Sequence, residues 1–259
     1  MQATQDNITQ KNIEDIEKQI LRFYKISHER VIDAFIDTFN TILTAEVFKD
    51  RAPTPADLYN LDKYWKMQGM LQQELQKLGD KQAAIMSRRF EKQFIDIYKA
   101  AALTTNTAYA LPAKEMVTQM VNQIWAADGV TWKQRIWKNL DLLRETLNEE
   151  LLHCVVSGKD SKYLKYQLQE RFNVSYGRAD TLVRTELAHI QTTAAQQRYI
   201  DAGVQEVQLW ASEDERRCPD CGRLHKKLYP IHGQMPVPVH PKCRCCIVPV
   251  VDMSGFKDL

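Results

Sequence analysis

Two short cysteine clusters constrain this chain more than any other feature. Cys218-Pro-Asp-Cys221 is followed by eighteen residues and then by His240-Pro-Lys-Cys243-Arg-Cys245-Cys246. A C-x₂-C pair offers two thiolates from one tight turn, which suits two corners of a tetrahedron. An H-x₂-C element can supply the other two with an imidazole and a thiolate. The segment between and around these clusters must therefore fold so that both ends meet.

Five residues compete for the four positions: Cys218, Cys221, His240, Cys243 and Cys245. Cys218 and Cys221 form the surest pair, and His240 with either Cys243 or Cys245 completes the set. If the run from 243 is extended, Cys243 and Cys245 share one side and Cys246 faces the other as a small core residue. His225 and His232 lie between the clusters as outside options. Four nitrogen and sulfur ligands leave no open position for water, so a bound Zn²⁺ is expected to be structural rather than catalytic. Disulfides are the competing use of six cysteines. The polar first twenty residues, with no apolar signal core, and the histidine beside the second cluster favour metal and a reducing cytoplasm.

Composition narrows the rest only a little. The chain has 259 residues, 35 basic and 33 acidic side chains, and a formal charge of +2, so overall charge makes no case for nucleic-acid binding. No apolar run reaches the length of a membrane span. Five of the nine prolines fall between Pro219 and Pro241, which sets the last quarter apart from what precedes it.

Upstream the periodicity is helical. Apolar residues recur at helical spacing from Ile8 to Phe48, with a break expected near Ser27-His28. Pro53 and Pro55 end that run. A second helix is expected from about Pro55 to Gly79-Asp80, a third to about Leu103, and a fourth opens at Pro112 and continues to Ala126. Thr131 can cap a helix to about Val156, Ser161 a short helix to Phe172, and a further helix from Tyr176 closes at Gly203. Val207 and Leu209 alternate as in a strand, and 247–251 reads as a final strand at a sheet edge because of Pro249. Trp125, Trp132 and Trp137 read as packing between helices rather than as a binding platform. The expected fold is mainly α with a small C-terminal α+β zinc-braced end.

Two further polar groups stand out. Arg184-Thr185-Glu186 lies in the last long helix, with Arg184 and Glu186 about 200° apart around it, so they do not pair with each other. Asp214 and Arg216 precede the C-x₂-C. The basic residues around the clusters are interleaved with Glu213, Asp214, Glu215 and Asp220, which reads as a mixed-charge solvated knuckle. Glu186 and His189 lack a supporting nucleophile or metal ligand and are not read as catalytic.

From about Thr131 onward these pieces resemble the Mu F-like minor head proteins of tailed bacteriophages, also called head morphogenesis proteins. The matching elements are Arg184-Thr185-Glu186, a helix ending before Gly203, a strand ending at Trp210, Asp214-x-Arg216-x-Cys218-x-x-Cys221 and His240-Pro241-x-Cys243-Arg244-Cys245. The chain departs from the family in its Leu224-His225-Lys226, where a Leu-x-Gly step is frequent. The resemblance implies a helical bundle or arm at 1–128, followed by a Mu F-like domain at 129–259 with its zinc-binding part at about 205–252. It further implies a non-enzymatic minor capsid protein inside the virion, present in the host cytoplasm during assembly. Its partners would be the portal and scaffolding or major capsid proteins, with a role in packaging or ejection and contact with DNA. Arg184 and Glu186 would then clamp the last helix to the zinc end. A metal-dependent nuclease or a zinc-braced DNA-binding module is the alternative.

Overall fold

The structure is a computed structural model that describes residues 2–44, 51, 53–105, 107–212, 214–215 and 217–250. In chain order the elements are α1 (Gln2–Thr44), α2 (Pro55–Tyr59), α3 (Asp62–Thr105), α4 (Lys114–Asn122), α5 (Trp132–Ser157), α6 (Ser161–Asp201), β1 (Glu206–Trp210), α7 (Pro219–Leu224), β2 (Leu228–Pro230) and β3 (Cys246–Pro249). The fold is mainly helical with a small three-stranded sheet near its C-terminal end, as the patterning predicts. No helix among the described residues is long and apolar enough to cross a membrane.

Three expected helix breaks are absent, each for a tertiary reason. α1 runs unbroken through Ser27-His28, where Ser27 is buried and the His28 ring sits edge-on to Phe172 at 5.3 Å. α3 runs through Gly79-Asp80. Gly79 is there for close approach, because a Cβ at that position would lie 2.4 Å from the Trp137 ring. α6 joins two expected helices across 173–175. Ser175 is buried there, its hydroxyl bonded to the Tyr24 hydroxyl at 3.3 Å, while its carbonyl accepts from Asn139 Nδ2 at 3.0 Å. The α6 N-terminus is held by Asp160 rather than Ser161, since Asp160 Oδ1 accepts from the Tyr163 N–H at 2.7 Å. α4 stops at Asn122, short of the expected Ala126. Gly203 adopts φ 75° after α6, and its N–H returns to Ile200 O at 2.9 Å, so this terminator acts as expected.

The chain forms two compact units. One, the helical unit, comprises Lys18–Ala84 and Lys133–Asp180. Its core is built from stripes at helical spacing: Phe35, Phe39 and Ile42 of α1, and Leu140, Leu143 and Leu147 of α5, all buried. The other, the mixed unit, comprises the segment up to Glu17, Ile85–Trp132 and the chain from Thr181 onward. A chain of buried amide and hydroxyl bonds runs through it. Asn12 Nδ2 donates to Gln93 Oε1 at 2.7 Å, Gln93 Nε2 to Thr9 Oγ1 at 2.6 Å, and Thr9 Oγ1 to Gln191 Oε1 at 2.6 Å. A fully satisfied buried network of this kind fixes register between α1, α3 and α6.

In the same unit the sheet order is β2-β1-β3, antiparallel throughout. β1 places Val207 and Leu209 in the core, and its burial alternates as expected. β3 is an edge strand, which accommodates Pro249. The expected last residue of that strand, Val251, lies outside the described residues, as does Phe48. β2 has no counterpart in the sequence reading.

Candidate metal centre

The sheet brings the cysteine clusters together from its two connections. The link from β1 to β2 carries α7 and the C-x₂-C; the link from β2 to β3 carries His240, Cys243 and Cys245. Pro219 opens α7 at a position where a missing N–H costs nothing, and Cys218 sits at its N-cap. The turn at 241–243 needs a left-handed residue, and Lys242 supplies it at φ 61°. Its N–H is held by Thr185 Oγ1 at 3.1 Å, and the Cys243 N–H returns to His240 O at 3.1 Å.

Two overlapping groups of donor atoms result. Cys218, Cys221 and His240 form one, and Cys221, Cys243 and Cys245 the other, with the atoms of each group within 4.8 Å of one another. Cys221 belongs to both. Its Sγ lies 3.2 Å from His240 Nε2 and 3.9 Å from Cys243 Sγ. Tetrahedral zinc with bonds of ~2.3 Å to sulfur and ~2.0 Å to nitrogen separates its ligand atoms by about 3.8 Å (sulfur–sulfur) and about 3.5 Å (sulfur–nitrogen). These two separations from Cys221 therefore fit such an ion. His240 Nδ1 lies 2.8 Å from Pro241 O. Donating its proton there leaves the Nε2 lone pair turned toward the sulfurs, the usual arrangement of a ligating imidazole.

The electrostatics run in the same direction at Cys243 and Cys218, and against it at Cys221 and Cys245. The Cys243 thiol is held down to about 5, chiefly because the Cys245 thiol donates to it, with the N–H groups of Cys245 and Val239 adding to this. The Cys221 N–H donates to Cys218 Sγ at 3.3 Å and lowers that thiol as well. Backbone donors aimed at sulfur stabilise the thiolate a metal requires. Burial pushes Cys221 up to about 12, and the bond to Cys243 raises Cys245. The hydrogen bond to Pro241 raises His240.

The other candidates fall elsewhere. Cys246 is in neither donor group; it is fully buried at the start of β3, and burial pushes its thiol up to about 12. His225 is an intermediate, structural residue, its Nδ1 accepting from the Ala211 N–H at 3.2 Å and its ring edge-on to Trp210. Cys154 is a buried core thiol, raised to about 11 by burial.

The Arg184-Thr185-Glu186 motif connects to the knuckle through its middle residue. Thr185 accepts from Lys242, while Arg184 pairs with Glu17 of α1 and buried Glu186 accepts from Trp125 Nε1 at 2.9 Å. Asp214 pairs with Arg244 through both guanidinium nitrogens, one of these bonds at 2.6 Å. Arg223 pairs with Asp220, so both of these arginines beside the clusters meet opposite charges. Arg216 and Glu213 lie outside the described residues. Trp132 is buried and donates to Val121 O at 3.2 Å, as expected of a packing residue. Trp125 instead stacks on His189 at the wall of a groove, a setting that sequence reasoning missed.

Residues 145–248 match the family described as Phage Mu protein F like protein. The match spans α6 with Arg184-Thr185-Glu186, all three strands but for the final residue of β3, and all five donors. Over that stretch the chain is similar to that family. No curated protein and no solved structure matches it.

Proposed function

We propose that this Mu F-like chain is a non-enzymatic minor component of a tailed-phage head, with a closed, structural Zn²⁺ site that braces its C-terminal end. The family match suggests a phage head morphogenesis protein. The observation that carries the metal reading is the pair of overlapping nitrogen and sulfur donor groups that share Cys221, each within 4.8 Å, inside the matched stretch. Cys218, Cys221 and His240 hold three positions, and Cys243 holds the fourth, its sulfur prepared by two backbone N–H groups. Cys245 then donates to Cys243 from outside the coordination sphere. With four protein ligands no water is bound and activated, which favours a structural ion over a nuclease centre.

In this reading residues 129–259 form the family domain, and the helices of 1–128 supply surface for the portal or another head protein. The chain acts inside the assembling capsid. The test is co-expression with a tailed-phage portal protein from the same genome, followed by affinity capture and elemental analysis. Co-purification with one zinc per chain is expected. Zinc without portal binding removes the assembly role and leaves the brace; portal binding without zinc does the reverse.

A further inference from the structure

The metal centre holds one sulfur more than a tetrahedral ion uses. With Cys218, Cys221, His240 and Cys243 as the zinc set, Cys245 is left over, yet its sulfur lies within 4.8 Å of both Cys221 Sγ and Cys243 Sγ. Cys246 and Cys154 show what a packing thiol looks like in this chain: both are fully buried, and neither belongs to a donor group. Cys245 is buried too, but against two other sulfurs.

The two donor groups differ in kind. Cys218, Cys221 and His240 include a nitrogen, and Cys218 and His240 are half-buried. Cys221, Cys243 and Cys245 are sulfur alone, exposed by only 4%, 3% and 3%. The first group suits zinc, which takes nitrogen and sulfur alike and completes a tetrahedron. The second is a dry corner of three thiols, which suits a soft ion of low coordination number. Cu⁺ is such an ion: thiolates select it, and three of them around it leave no fourth position to fill. Three sulfurs in a plane, with metal–sulfur bonds of ~2.3 Å as in zinc–thiolate sites, stand about 4.0 Å apart. Cys221 Sγ and Cys243 Sγ are 3.9 Å apart. The N–H groups of Cys245 and Val239 are directed at Cys243 Sγ and offset part of the charge that three thiolates bring. Because Cys221 is shared, an ion met first at the more open group can pass to the buried one.

We propose that Cys221, Cys243 and Cys245 form a Cu⁺ site that competes with zinc for this centre. Copper enters and stays as the monovalent ion, so no electron moves. The thiol protons go to solvent, and zinc leaves because Cys221 and Cys243 cannot serve both ions. The competition rests on the zinc set named above, the copper site only on its three sulfurs.

Anaerobic titration of the zinc-loaded full chain with Cu⁺, against a chromogenic Cu⁺ chelator and with released zinc read by a second dye, tests this. One Cu⁺ per chain is expected to displace one zinc, and copper X-ray absorption should show sulfur neighbours and no nitrogen. Cys245→Ser should weaken Cu⁺ binding by more than about 100-fold, beyond what losing an outer hydrogen bond to a ligand costs. It should still hold one zinc per chain, which also shows that the fold is kept. His240→Ala should do the opposite, losing zinc while Cu⁺ affinity is unmoved. Copper affinity that follows His240 rather than Cys245, nitrogen around the copper of the unaltered chain, or zinc retained beside one Cu⁺ would each overturn the proposal. A chain that binds Cu⁺ through three sulfurs but never holds zinc removes the zinc reading and leaves the copper site standing.

Discussion

In the helical unit, Phe35 and Phe39 of α1 and Leu140, Leu143 and Leu147 of α5 are each buried to within a few per cent. Every helical turn adds an apolar side chain to one core, so stability accumulates along the elements. Between Glu206 and Pro249 the chain has three strands of three to five residues and a six-residue helix. Such pieces bury too little to hold themselves, and two-stranded or three-stranded ribbons of this size are marginal alone. The first region is held by area and the second, on the proposed reading, by a point. The difference teaches that one chain can lose stability in two separable ways, and each can be probed without touching the other.

The largest expected effect is at the point. Cys221 is the donor common to both groups, so Cys221→Ser should abolish zinc retention, a binding free energy on the order of 10 kcal/mol for structural sites. Limited proteolysis should then cut within 205–250 while the helical unit stays protected. Uniform cleavage of both regions would break the comparison. Next is Phe39→Ala, which should cost roughly 3–5 kcal/mol through its cavity. Here thermal melting falls, and zinc content at lower temperature stays at one per chain.

The pH dependence should also separate the regions. Burial raises Tyr24 from an ordinary value near 10 to about 12, so the folded state favours the protonated phenol. That stability is complete below pH 10 and is lost as pH rises toward 12, by an amount on the order of 2 kcal/mol. Tyr24→Phe should remove this alkaline loss from a melting-temperature profile. The metal end should fail on the acid side instead, because protons compete for thiolate and imidazole. The smallest effect is that of Thr185→Val, which deletes the acceptor for the Lys242 N–H. A loss of about 1 kcal/mol should appear in chelator competition for zinc, with helical melting unchanged. Unaltered zinc affinity would show that the knuckle holds its turn without α6.

How much was legible follows from how local each cause is. The donor clusters could be read because ligand chemistry and spacing sit in a few adjacent residues. The terminator at Gly203 was likewise local. Gly79 was misread as a stop because its reason, the Trp137 ring, lies 58 positions away on α5. Ser175 continues α6 for a similarly distant reason, the Tyr24 hydroxyl. Three residues of β2 carry no periodicity at all, and that strand exists because β1 pairs with it. The groove beside Trp125 is assembled from three separate stretches.

The hydrogen bond from Thr9 to Gln191 spans 182 positions, and this has a kinetic consequence. During synthesis the first turns of α1 leave the ribosome long before their partner on α6 exists. Contacts of such long range close slowly because the intervening chain must first be ordered. The segment carrying Thr9 thus gains from protection by a chaperone until α6 has been made.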